Sequence, residues 1–157
     1  MTATPHPRTY VAVIDDTPES RTALRFAARR AARTGGTVLL LAVAPAPEFS
    51  QWGGVQAAME QEAQERAEGL LAHVAGEVLE EAGIRPSIRA SVGDPVEAVK
   101  ALLAEEISVD ALVLGAAARG GPGPLVAYFT GEAAGTLRCP IMIIPGGLDD
   151  EALDRLS

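Results

Sequence analysis

The sequence predicts an α/β fold, a single domain whose five-stranded parallel sheet carries helices on both faces. Five short apolar runs have the composition of buried strands, helix-length segments with their own start and stop residues separate them, and a glycine-rich loop follows the fourth run. Strands that alternate with helices form a parallel sheet, because right-handed crossovers lay the helices on its faces.

Residues 10–14 (YVAVI) form a continuous apolar run ending in Asp15-Asp16, the pattern of a strand buried on both sides. Thr17 supplies an N-cap, and Pro18 suits the first helical position. Ala23, Leu24, Ala27, Ala28, Ala31 and Ala32 then recur at helical spacing until Gly35-Gly36 stops the helix. Residues 37–43 (TVLLLAV) read as the second strand. A loop rich in proline and glycine follows and holds the only tryptophan, Trp52.

A long amphipathic helix is expected over about residues 55–82, with Met59, Ala63, Leu70, Val74 and Val78 near one face and Glu60, Glu62, Glu65 and Glu68 elsewhere. Residues 84–91 read as the third strand; Pro86 either marks its beginning or weakens the assignment. Asp94-Pro95-Val96-Glu97 is a capping-box-like start, and Val96, Val99, Leu102 and Leu103 give the helix its apolar stripe. Residues 111–114 and 141–144 are the fourth and fifth strands, separated by the glycine-rich loop and a helix around residues 124–137. Residues 1–9 read as a flexible N-terminal tail, 10–147 as the domain, and 148–157 as an acidic C-terminal tail.

Composition excludes several classes. With 48% hydrophobic and 22% charged residues, the 157-residue chain reads as globular rather than disordered. No apolar run approaches the roughly 18 residues of a membrane span, and the first residues lack the pattern of a signal peptide. One cysteine, Cys139, rules out an internal disulfide framework and suits a reducing cytoplasm. A net charge of −8 argues against nucleic acid. Arg21, Arg25, Arg29, Arg30 and Arg33 recur along the first helix, where they read as an exposed polar face. His6 and His73 stand alone without a second ligand at metal spacing. Neither a Ser-His-Asp set nor a G-K-[ST] phosphate-loop ending is present, so the residues do not point to catalysis.

In this order and spacing the segments VAVIDDTPESRTALRFAARRA, VLGAAARGG and LRCPIMIIP resemble the universal stress protein family over nearly all of residues 11–145. The resemblance implies an adenine nucleotide α-hydrolase-like fold of five parallel strands, with ATP or AMP bound beside a loop that commonly reads G-x2-G-x9-G-[ST]. Gly115 matches the first glycine of that motif. Ala118 stands at the second, and the closing Gly-Ser/Thr position falls on Tyr128-Phe129 or Ala127-Tyr128, according to the end from which one counts. The loop therefore resembles a variant branch reading G-P-G-P, with a degenerate nucleotide-binding loop.

The candidate site residues follow. Asp15 matches the family's acidic residue near adenine or ribose; alternatively Asp15 or Asp16 caps the following helix. Val43 matches the position against the base, or is an ordinary core valine. Gly115, Arg119, Gly120, Gly121 and Gly123 form the candidate phosphate loop, with Arg119 adding a charge-assisted contact; alternatively they form a surface turn. Pro122 and Pro124 carry no N–H for an anion. Thr130 either offers a hydroxyl to phosphate or bonds its own helix backbone. Cys139 reads as a packed thiol rather than a nucleophile. Phe49, Trp52, Val55 and Met59 read as an apolar lid, as a protein contact, or as a roof over the domain's own core.

The function expected is that of a cytoplasmic adenine-nucleotide-binding regulator or adaptor of the stress response. The alternative is a ligand-independent homodimeric interaction module that has lost nucleotide binding; an enzyme of the wider fold group is a third and weaker reading. By the same resemblance, Ile141, Met142, Ile143 and Ile144 form an edge strand that pairs across a dimer axis. Neither nucleic acid nor membrane is an expected partner.

Overall fold

The computed structural model describes residues 6–48, 52–106 and 108–157. Its elements run β1 (Thr9–Ile14), α1 (Pro18–Thr34), β2 (Thr37–Ala44), α2 (Gly53–Ala82), β3 (Ser87–Val92), α3 (Pro95–Glu105), β4 (Val109–Ala116), α4 (Pro124–Thr130), a 3-10 turn at Ala134–Thr136, β5 (Ile141–Pro145) and α5 (Asp150–Leu156). The five strands form one sheet in the order β3-β2-β1-β4-β5, with every neighbouring pair parallel. This is the expected α/β architecture.

Alternation along the strands divides the core into two layers. Tyr10, Ala12 and Ile14 of β1 face α1, α2 and α5, whereas Val11 and Val13 face α3 and α4. Both layers are built from apolar side chains, aliphatic with Tyr10, Phe26 and Phe129 among them, and they cover both faces of the central strands.

Helix starts follow local rules. The Thr17 hydroxyl accepts the Ser20 N–H at 3.2 Å, and Pro18 follows at the position where its missing donor costs nothing. The Asp94 carboxylate caps α3 by accepting the Glu97 N–H at 3.0 Å. Gly35 and Gly83 end α1 and α2 in the left-handed conformation.

Three segments differ from expectation. The helix expected around residues 124–137 stops at Thr130 and resumes only as the 3-10 turn, because Gly131 breaks it. The long helix buries Ala63, Ala67, Leu71, Val74 and Val78, so Met59 and Leu70 are not part of its innermost seam. None of the residues from Trp52 to Glu62 is buried. Trp52, Val55 and Met59 are 75%, 50% and 36% exposed there, so they do not roof the core; Phe49 lies outside the described residues.

The third difference is the expected acidic tail, whose residues 150–156 form α5 against α1. Asp149 caps this helix by accepting the Ala152 N–H at 2.9 Å. Leu153 is 1% exposed within the α1–α2 layer. Arg29 reaches Asp154 at 2.6 Å and Asp150 at 3.4 Å, and Arg33 donates to the main-chain oxygen of Ser157 at 2.6 Å. Arg21 likewise holds Glu77 of α2 at 2.6 Å. Exposed ion pairs contribute at most about 1 kcal/mol, whereas a buried leucine contributes about 1.5–3 kcal/mol. Leu153 is therefore the anchor and the arginines set the helix's angle.

Leu153→Ala is expected to lower stability by about 2–3 kcal/mol, near the lower end for buried leucines because a terminal helix can settle into the gap. Arg29→Ala is expected to cost under about 1 kcal/mol. Urea unfolding of the two variants checks the ranking, and an equal loss would refute Leu153 as the anchor.

Candidate functional site

The strand order places β1 between β2 and β4, with the crossovers leaving β1 and β4 in opposite directions. A crevice opens at such a switch point, outside the carboxyl ends of the strands. Here it encloses about 150 Å³ and is lined by the end of β1, the first turn of α1, Val43 of β2, Pro95 of α3, Leu114 and Gly115 of β4, and the start of α4.

Asp15 forms one rim. Its Oδ1 accepts the Thr17 N–H at 2.8 Å and also the Thr17 hydroxyl. Its own N–H donates to the Ser20 hydroxyl at 3.0 Å. Thr17, not Asp15 or Asp16, therefore caps α1. Asp15 holds that cap from outside, and its Oδ2 accepts no hydrogen bond from the described residues. The carboxylate is exposed at the rim of the cleft.

Gly115 forms the floor. A Cβ there would lie 2.0 Å from the carbonyl oxygen of Glu19, and one at Gly146 would lie 2.7 Å from the carbonyl of Ala116 and 2.8 Å from the Cβ of Glu19. Both glycines thus admit the first turn of α1 against the ends of β4 and β5. Thr22 fastens the joint, its hydroxyl donating to Pro18 O at 3.1 Å and Gly146 O at 3.3 Å. For Gly115 the structure supplies a packing reason independent of any ligand.

The loop after β4 turns back on itself, with the Ala117 N–H reaching Pro122 O at 3.4 Å. Gly120, Gly121 and Gly123 have φ of +77°, +92° and +96°, a region that side chains disfavour, while added Cβ atoms there would meet nothing within 4 Å. The loop's shape, rather than close approach of another atom, requires these glycines.

Asp15, Val43, Gly115 and Gly123 meet at the cleft. Arg119, Gly120 and Gly121 lie exposed on the outer limb of the loop and do not line it. Thr130 sits at the far end of α4, where its hydroxyl donates to Val126 O at 2.6 Å, so it is not brought to the cleft. Trp52, Val55 and Met59 do not line it either. Sequence reasoning missed Thr17, Glu19, Ser20, Pro95 and Leu125 as lining residues; the first four belong to helix starts whose Thr17-Pro18 and Asp94-Pro95 capping patterns were the available signal, whereas α4, which carries Leu125, has no side-chain cap. Cys139 is half-buried at the start of β5, where burial pushes its thiol up and away from nucleophilic chemistry. Among the described residues no group of three His, Cys, Asp or Glu could hold a metal, and no helix is long and apolar enough to cross a membrane.

An open, doubly wound parallel domain with a small-molecule crevice at its switch point is the class of protein that fold and cleft define. The chain belongs to the universal stress protein family, whose model matches residues 7–145. Among solved structures, the universal stress protein UspA from Lactobacillus plantarum is 14% identical, with a TM-score of 0.69, over 90% of this chain and 99% of that one. A universal stress family protein from Arabidopsis thaliana with AMP bound is 18% identical, with a TM-score of 0.54, over 88% of this chain and 92% of that one. A universal stress protein in complex with cAMP is 21% identical, with a TM-score of 0.50, over 89% of this chain and 98% of that one. At these identities the likeness is one of fold. No curated protein matches the chain.

Gly115→Ala is expected to cost about 3 kcal/mol or more, since main chain must move, whereas Gly121→Ala costs about 1–2 kcal/mol of backbone strain. Denaturant midpoints check this, and a milder effect at Gly115 than at Gly121 would refute the packing role.

Proposed function

We propose that this universal-stress-type protein binds an adenine nucleotide, ATP or AMP, in the β1–β4 cleft and acts as a cytoplasmic stress-response regulator or adaptor rather than as an enzyme. The observation that carries the reading is Asp15. Its carboxylate stands at the carboxyl end of β1, fixed by Thr17 through one oxygen and open through the other. A carboxylate so placed beside a switch-point crevice suits ribose hydroxyls. Val13, Val43 and Leu114 offer the apolar wall that a base needs. The relatives with AMP and cAMP support an adenine ligand. The reading as a binder rather than an enzyme leans on the family to which the chain belongs; Asp15 and Glu19 are the acid-base groups that line the cleft. Ser20 is 5% exposed and tied to the main chain of Asp15.

Homodimerisation through β5 belongs to the same proposal. β5 is an edge of the sheet. Leu112 N–H bonds Pro140 O at 3.0 Å and Gly146 N–H bonds Ala116 O at 2.8 Å, so even-numbered residues turn their main-chain groups toward β4. Alternation leaves those of Ile141 and Ile143 facing outward, and both side chains are only half-buried. Such an edge accepts a second copy.

Isothermal titration with AMP is expected to give saturable heat, and Val43→Trp, which fills the wall, is expected to lose it while circular dichroism stays unchanged. Absence of heat with both AMP and ATP at millimolar concentration would sink nucleotide binding and leave the ligand-independent module. Sedimentation at micromolar concentration is expected to show a dimer that Ile143→Pro converts to monomer; a native monomer would overturn the pairing.

A further inference from the structure

Resting on the reading of the cleft as an adenine site, we infer that it selects ligands of low phosphate charge, so that adenosine and the monophosphate bind and the triphosphate is disfavoured. Charge is the first reason. Among the described residues Asp15 and Glu19 are the charged ones lining the cleft, both are acidic, and no Lys, Arg or His accompanies them. Arg119, the cation of the neighbouring loop, is exposed and outside the lining. Arg21 and Arg29 of α1 are engaged with Glu77 and with Asp150 and Asp154. The chain as a whole carries −8. A terminal phosphate carries about −1.5 to −2 of charge near neutral pH, and the side-chain charges it meets here share its sign, leaving the helix starts as the positive partial charges of the cleft.

Donor supply is the second reason. A triphosphate held without cations needs a run of convergent main-chain N–H groups. Pro95, Pro122 and Pro124 occupy three of the lining positions and have none, which leaves Gly123, Leu125 and Val126 as the donors that this loop and the seven-residue α4 offer to the cleft. The Ala117 N–H is already turned to Pro122 O. Gly120 and Gly121 stand on the outer limb, away from the cleft.

Size is the third. The enclosed volume of about 150 Å³ is below the ~300–1,000 Å³ usual for small-molecule sites. So small a cleft favours the smaller members of the adenine series.

The test compares adenosine, AMP and ATP by isothermal titration, the last with and without magnesium, at low and at moderate salt. Adenosine and AMP are expected to bind at least tenfold more tightly than ATP. ATP affinity is expected to rise with salt as repulsion is screened, because the screening length falls from about 30 Å at 0.01 M to about 8 Å at 0.15 M; adenosine affinity stays constant. Glu19→Gln, which keeps the side-chain volume, is expected to narrow the gap between AMP and ATP. ATP binding as tightly as adenosine, with or without magnesium, or weakening as salt rises, overturns charge selection while leaving adenine binding intact. Failure of all three ligands overturns both this inference and the adenine reading beneath it.

Discussion

The contact between the first turn of α1 and the paired ends of β4 and β5 is the constraint on which the rest of the cleft depends. The main chain of Glu19 rests where side chains of Gly115 and Gly146 would otherwise stand. Thr22, nearly buried, ties the same turn to Gly146. This joint fixes where α1 begins, and hence where Thr17 and Asp15 sit relative to β4. A larger residue at either glycine would lift α1 and move both rims of the cleft together. The apolar layers hold the sheet between its helices, but they do not by themselves decide how close the β1 and β4 ends approach.

Much of the fold was legible in the sequence because its signals are local. Thr17-Pro18 and Asp94-Pro95 announce helix starts through side chains that act within one turn. The runs YVAVI and TVLLLAV are apolar at every position because strands buried on both faces have no solvent side. α5 was not legible. It has seven residues, mostly charged, and its one anchor, Leu153, finds its pocket only after α1 has packed on the sheet. An acidic segment with a single leucine reads as a tail until its tertiary partner is known.

The candidate site was half legible, for a related reason. Asp15 and Val43 could be placed because strand ends in a parallel sheet converge at one edge whatever the loops do. The glycines were harder, since composition does not say why a glycine is required. Gly115 is excluded from bearing a side chain by Glu19, 96 positions earlier in the chain. Gly120 and Gly121 are required by their own positive φ, and the loop they shape carries them away from the crevice. Glycine richness signalled a ligand-facing loop, whereas its backbone geometry supplies a turn. Thr130 shows the same separation, because its hydroxyl satisfies a carbonyl of its own helix at the end remote from the cleft.

Charge is distributed so that structural and ligand-facing roles do not compete. Arg21 and Arg29 of α1 hold the acidic side chains of α2 and α5 on one face of the sheet. The cleft draws its lining from the carboxyl ends of the strands and from the starts of α1, α3 and α4. Cations recruited to hold acidic helices in place are not available at that edge, and the helix starts there carry Asp15, Glu19 and three prolines instead. Arg25, Arg30 and Arg33, the other arginines of α1, likewise lie outside the lining of the cleft, so α1 contributes no cation to it. A sheet of this topology can present either a cationic or an anionic crevice at its switch point. In this chain the residues that follow β1, Asp15 at the strand end and Glu19 in the first turn of α1, set the sign of the side-chain charge.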